Sequence, residues 1–170
     1  MSVTPWQIAN VPGHITAKKL QAEKLVEILK ESAHPLLIVG KLEDYELEIA
    51  KSFINKIKEK DGTVVFTPIA NKTFLEDGIK PDMILGLTEV TSKLSRGWRN
   101  VEGKESFDLL IYFGGYYYHQ SQMLSAIKHY ATDLKKISLN RYHQPNADYS
   151  FANPREQRWL EEMKTVLESI

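Results

Sequence analysis

Two stretches decide the fold: Leu36-Leu37-Ile38-Val39-Gly40, and Phe107-Asp108-Leu109-Leu110-Ile111-Tyr112-Phe113-Gly114-Gly115. Each is a short apolar run closed by glycine. A strand with one wet face alternates apolar and polar residues, whereas an unbroken run requires a sheet covered on both faces. Such sheets are mostly parallel, because helical crossovers supply the cover. The flanking segments carry helical periodicity. Upstream, Ala22, Leu25, Val26, Leu29 and Ala33 predict a helix from Thr16, its candidate cap, to about Ala33, which Pro35 stops. Downstream, Leu47, Ala50, Ile54 and Ile57 predict a helix from Glu43 to Lys60, closed by Asp61-Gly62 and followed by a strand from Thr63 to Thr67.

Residues 68 to 100 carry a weaker pattern, with helical turns expected around Thr73–Asp77 and Leu87–Leu94 and the apolar Met83-Ile84-Leu85 between them. His119 to Ala131 reads as a helix with Met123, Ile127, Tyr130 and Ala131 facing inward. Ile137 to Leu139 is a short final strand, and an irregular aromatic loop runs on through Phe151. Asn153-Pro154-Arg155-Glu156 offers a cap, a proline at the first helical position and a Glu to close a capping box. Leu160, Met163, Leu167 and Ile170 then form that helix's stripe. The expected fold class is α/β: three layers, doubly wound, with a mostly parallel sheet. Leu36–Val39, Thr63–Thr67, Phe107–Phe113 and Ile137–Leu139 should be neighbours in it. Residues 1–15, with Pro5, Pro12 and Gly13 interrupting any period around Trp6, Ile8 and Val11, read as an extended N-terminal arm before a single domain over 16–170.

Lys plus Arg and Asp plus Glu number 22 each, so no net field draws the chain to nucleic acid or to anionic lipid. The apolar runs are too short to cross a bilayer, and Met1 to Ile15 lacks the basic start of a signal peptide, so a cytoplasmic location is expected. The 170 residues contain no cysteine, which excludes disulfides and thiolate-held iron–sulfur clusters among them. His14, His34, His119, His129 and His143 show no paired ligand spacing, and no nucleophile elbow is present.

Ligands of open α/β sheets sit beyond the carboxyl ends of the strands, where the strand order reverses. That rule nominates Gly40-Lys41 and Gly114-Gly115 with the adjoining Tyr116 and Tyr117. Gly40-Lys41 lacks the further glycines of a dinucleotide fingerprint and the Ser/Thr of a P-loop. A helix start there can hold an anion; equally, Gly40 can simply serve a tight turn. At Gly114-Gly115 the backbone can approach a ligand closely while tyrosines offer flat faces to a flavin, a nucleotide or a protein. The alternative is a glycine turn whose aromatics pack under neighbouring loops. Trp6 and the loop from Tyr142 to Phe151, Tyr149 included, have the composition of interface anchors.

Phe107 to Gly114, then Tyr117-Tyr118-His119-Gln120-Ser121-Gln122-Met123-Leu124-Ser125-Ala126-Ile127-Lys128, resembles the epsilon subunit family of the acetyl-CoA decarbonylase/synthase complex. So does Ile137 to Asn153, through Arg141, Asn146-Ala147 and Ser150-Phe151, as does the unit running from the first helix through Pro35 to Gly40. Between 68 and 100 the family tends to an Asp-Pro-Asp-Trp segment, where this chain has Leu94-Ser95-Arg96-Gly97-Trp98. The resemblance implies a fold like the NAD/FAD-binding domain of deoxyhypusine synthase. It implies a partner, the nickel–iron–sulfur alpha subunit, in an alpha2-epsilon2 carbon monoxide dehydrogenase component of anaerobic archaea. Through it the chain is expected to be non-catalytic, to stabilise the alpha subunit and to assist electron transfer to FAD. The alternative is a free-standing flavin- or nucleotide-binding accessory protein.

Overall fold

In the computed structural model, which describes residues 16–170, the elements run β1 (Lys18–Lys19), α1 (Ala22–Glu31), β2 (Pro35–Val39), α2 (Leu47–Glu59), β3 (Thr63–Phe66), α3 (Pro68–Phe74), β4 (Met83–Ile84), α4 (Leu87–Ser95), β5 (Leu109–Phe113), α5 (Tyr117–Tyr130), β6 (Lys135–Ser138), β7 (Tyr149–Ser150) and α6 (Glu156–Ser169). The strands form one parallel sheet in the order β1-β7-β6-β5-β2-β3-β4. From β2 onward this is the doubly wound order of Rossmann-like folds, reversing direction between β2 and β5. The four strands expected to be neighbours are contiguous.

Unbroken apolar runs suit this sheet because both of its faces are covered. Leu37, Val39, Val64, Phe66, Ile111 and Phe113 pack under α1, α2, α3 and α6. Leu36, Ile38, Val65, Leu110 and Tyr112 pack under α4 and α5. All five residues of β2 and all five of β5 are buried. Phe113 lies at the middle of the first core, edge-on to Phe53 and to Trp159, whose indole N–H donates to Leu139 O at 2.9 Å.

The edges depart from the sequence expectation. The helix expected from Thr16 begins only at Ala22, because Lys18–Lys19 pairs with Tyr149–Ser150 at the sheet edge. Thr16 Oγ1 meets His143 Nε2 at 3.1 Å instead of capping a helix. The loop expected through Phe151 therefore contains a strand, β7, and Phe151 itself is core. Asn153 is no cap: at φ 53° its side-chain oxygen accepts from His143 N at 2.9 Å, and α6 starts at Glu156. Tyr130 points outward, 71% exposed. The stretch from 68 forms α3, with Thr67 accepting from Ala70 N and Pro68 opening the helix. The N-terminal arm lies outside the described residues. Among the described residues no helix is long and apolar enough to cross a membrane.

At the amino edge of the sheet a device recurs three times. Asp82, Asp108 and Asp148 each directly precede a strand. Each exchanges two hydrogen bonds with one residue at, or directly before, the start of the neighbouring strand. Asp82 N donates to Val64 O while its carboxylate accepts from Val64 N at 2.7 Å. Asp148 treats Lys136 the same way, with carboxylate contact at 2.8 Å. Asp108 pairs so with His34 and adds bonds from Ala33 N at 2.7 Å and Ser32 Oγ at 2.5 Å. The carboxylates extend the ladder past its last backbone pair and fix the register. Asp108→Ala strands three donors at a partly exposed site, so urea unfolding should show a loss of about 1–2 kcal/mol with an unchanged m-value.

Candidate functional site

The reversal between β2 and β5 places the turns after Val39 and Phe113 side by side, and they interlock through backbone. Gly40 N donates to Phe113 O at 2.8 Å, and Gly115 N donates to Lys41 O at 2.6 Å. A Cβ on Gly40 would lie 2.7 Å from Gly115 Cα and N, so no side chain fits there. Gly114, at φ 76°, would bring a Cβ within 2.5 Å of Lys41 O, and Gly115 adopts φ 94° with open space before it. Both conformations belong to the region that favours glycine.

Polar side chains from two other elements pin the second turn. Asn140 Oδ1 accepts from Gly114 N at 2.6 Å. Asn140 Nδ2 donates to Gln120 Oε1 at 3.2 Å, and Ser138 Oγ donates to the same oxygen at 3.4 Å. Gln120 and Ser138 are fully buried, and the network satisfies both amides.

Beside this crossing lies a cavity of about 250 Å³. Ile38, Pro68, Ile69 and Leu87 supply apolar wall, and Gly40, Lys41, Gly114, Gly115 and Tyr116 line one end. Five of the six residues singled out from the sequence thus meet there. The sixth, Tyr117, turns away and donates its hydroxyl to His143 O at 2.9 Å. Thr67, Gly86, Tyr112 and His119, also in the lining, escaped the sequence reading. They come from the turns after β3 and β4, from β5 and from α5, and the strand order brings them together.

Lys41 sits at the opening, its ammonium 5.4 Å from the Tyr116 ring centre and 4.0 Å from Glu43 Oε1. His119 Nε2 meets Thr88 Oγ1 at 3.1 Å, joining the starts of α5 and α4. Burial pushes the Tyr112 phenol up to about 12, so it stays protonated at neutral pH. Among the described residues its one hydrogen bond, to Thr91 Oγ1, is long at 3.4 Å, and Thr91 already donates to Leu87 O. Around the rim Tyr116, Tyr117, Tyr118 and Tyr142 are about half exposed or more, and Tyr116 stacks on Tyr118. The Arg141 guanidinium covers the Tyr142 ring at 4.4 Å.

The profile described as "CO dehydrogenase beta subunit/acetyl-CoA synthase epsilon subunit" matches residues 1–167. The chain belongs to this family. A protein of Methanothermobacter thermautotrophicus named acetyl-CoA decarbonylase/synthase complex subunit epsilon is 30% identical over 159 residues, covering 93% of this chain and 91% of its own. Proteins of the same name from Methanothrix soehngenii and, as subunit epsilon 1, from Archaeoglobus fulgidus are each 28% identical, over 88% and 91% of this chain and 80% and 84% of theirs. In this epsilon-type chain, the start of α2 beside the cavity is acidic. Glu43 and Glu46 close a reciprocal capping box around a short 3-10 turn, with Asp44 between them.

Glu46 is buried, and desolvation raises its carboxyl above the usual range against the pull of the Glu43 amide. A carboxyl whose folded value is raised contributes stability below its unfolded value, near 4.3, and loses it as pH rises through the folded value. Glu46→Gln keeps the cap and removes the titration. The variant's stability relative to the parent should therefore grow between about pH 4 and pH 7 in parallel denaturant titrations. Among glycines, Gly114→Ala meets both backbone strain and the Lys41 carbonyl, whereas Gly115→Ala meets strain alone. The first should cost clearly more than the roughly 1–2 kcal/mol expected of the second, read from thermal or urea melts.

Proposed function

We propose that this protein is a non-catalytic epsilon subunit. It would bind and stabilise the nickel–iron–sulfur alpha subunit of an acetyl-CoA decarbonylase/synthase complex, in an alpha2-epsilon2 carbon monoxide dehydrogenase component. The observation that carries the proposal is the family match along nearly the whole chain, in a sequence without a single cysteine. Thiolates are the usual holders of iron–sulfur clusters, so the redox metals of such a component belong to its partner. The alpha-binding surface includes the tyrosine rim at the carboxyl edge of the sheet. Tyr118 is 69% exposed and Tyr142 50%, beyond what a solvated helix start or loop needs. Within the loop from Tyr142 to Phe151, the anchor is Tyr142, since Phe151 is core and Tyr149 packs beneath Lys18 and Lys24. Trp6 lies outside the described residues.

FAD, which the family resemblance implies, fits the residues present in part. The cavity admits a ring, but the crossing of Gly40 with Gly114-Gly115 offers no cradle for a pyrophosphate. The amides of Gly40, Gly114 and Gly115 all donate within the protein, and Glu43, Asp44 and Glu46 open the following helix. Electron transfer through FAD therefore does not enter the proposal. The second reading, a free-standing nucleotide-binding accessory protein, draws on the same cavity and is separated from the first by assembly.

Mixing the chain with an alpha subunit and resolving the mixture by size-exclusion chromatography with light scattering should give a complex of two copies of each. Replacing Tyr118 and Tyr142 by Ala should weaken it by about 1–3 kcal/mol for each true anchor. Co-elution that never occurs would overturn the subunit reading; a complex untouched by the substitutions would move the surface elsewhere. The chain alone should neither oxidise CO nor retain stoichiometric nickel or iron on anaerobic purification.

A further inference from the structure

The misfit with a dinucleotide points to what the cavity does accept. It rests on reading the switch-point cavity as a ligand site, and four observations bear on it. At about 250 Å³ the space lies just under the roughly 300–1,000 Å³ of ordinary small-molecule sites, a size that suits one planar ring system. Its deep walls are Ile38, Leu87 and the Tyr112 ring, with Pro68 and Ile69 closer to solvent, a lining that suits a flat, weakly polar group. Tyr112 contributes an aromatic wall and a protonated phenol, whose one hydrogen bond among the described residues, to Thr91 Oγ1, is long at 3.4 Å. Lys41, at the mouth, is the lysine of the lining, its ammonium 4.0 Å from Glu43 Oε1 just outside, and among the described residues no carboxylate lines the cavity itself.

We propose that the cavity binds a mononucleotide, a single planar heteroaromatic ring carried inward with one phosphate held at the mouth by Lys41. At this end Gly40 and Gly115 meet in backbone contact, and Glu43 and Asp44 follow Lys41 in the chain, a setting that suits one phosphate at Lys41 better than a second nucleotide half. A flavin mononucleotide and an adenine mononucleotide share this chemistry. Gly86 and Gly115 leave the cavity open, since a Cβ on either would meet nothing within 4 Å. Gly86, at φ −64° and ψ 149°, accepts any side chain without strain, so Gly86→Phe can fill the space from within.

The test is a thermal melt of the full chain against matched concentrations of FMN, riboflavin, AMP, adenosine, FAD and inorganic phosphate. One of the two mononucleotides should raise the melting temperature, its phosphate-free nucleoside less, and FAD no more than the better mononucleotide. Lys41→Ala should bring the mononucleotide down to the level of its nucleoside. Gly86→Phe should abolish both shifts, the melting temperature of the unliganded variant serving as the control for folding. Ile69→Glu, at a half-exposed rim position, is the second variant; it should weaken the mononucleotide and spare the nucleoside. Shifts absent for every compound would overturn the proposal, as would an FAD affinity tenfold above both mononucleotides or a shift that phosphate alone reproduces. Co-elution with the alpha subunit is scored separately. A lost complex with intact ligand shifts would sink the subunit reading alone, and an intact complex without shifts would sink this one.

Discussion

The pairing of β2 with β5 is the constraint on which the rest of the structure depends. It joins Pro35 to Leu109 and runs in register to Val39 and Phe113, without a polar side chain except the Tyr112 phenol. Both strands are sealed on both faces, so their backbone groups have no recourse to water and must bond to each other. Past the last pair the chains continue in contact, Gly40 to Phe113 and Gly115 to Lys41. Closest approach of two backbones leaves no volume for a side chain, which is why glycine stands on both sides of the crossing. The cavity opens beside that crossing because the chain leaves β2 toward one face of the sheet and β5 toward the other.

The two ends of the sheet carry opposite chemistry. At the amino edge, Asp82, Asp108 and Asp148 occupy the amide donors at the neighbouring strand starts. Buried there too is Lys136, whose ammonium lies 3.4 Å from Asp148 and donates to Leu134 O. That edge serves stability. At the carboxyl edge the starts of α4 and α5 have no side-chain cap, and the side chains gathered there are tyrosines, a lysine and a histidine. Exposed aromatic area is the kind of surface that a partner's burial rewards. Neither edge holds a reactive cluster; among the described residues no three His, Asp or Glu side chains gather as a metal set.

The central strands were legible because absence of alternation has one cause, burial on both faces. β1 and β7 were not. A two-residue edge strand such as Lys18–Lys19 carries no period, and its existence depends on a partner more than a hundred residues away. The start of α3 was legible in principle, as a Thr-Pro pair that caps and opens a helix, yet the apolar spacing nearby drew the expected turn too far downstream. The Asn153-Pro154 signal misled in the opposite direction, since a tertiary bond to His143 N claimed the asparagine. In the candidate site, Gly40, Lys41 and Gly114 to Tyr116 follow directly from strands and a general rule about where such sheets bind. Thr67, Gly86 and His119 depend on strand order, which local pattern does not encode.

The buried amides of Gln120 and Asn140 show how these levels join. Gln120 lies on the first turn of α5 and Asn140 beyond β6, and both are directed at Gly114 by the fold rather than by their neighbours in sequence. Without an acceptor, the Gly114 N–H would be a buried orphan in a positive-φ turn. With Asn140 in place, the turn holds the conformation that keeps Gly115 open toward the cavity and Gly114 against Lys41. The shape of the cavity is therefore set by polar groups that never line it, while the residues that line it are mostly apolar. A ligand or partner at that edge meets a backbone already fixed, so little ordering is required on binding. That pre-organisation ties the folding of the central sheet to whatever its carboxyl edge recognises.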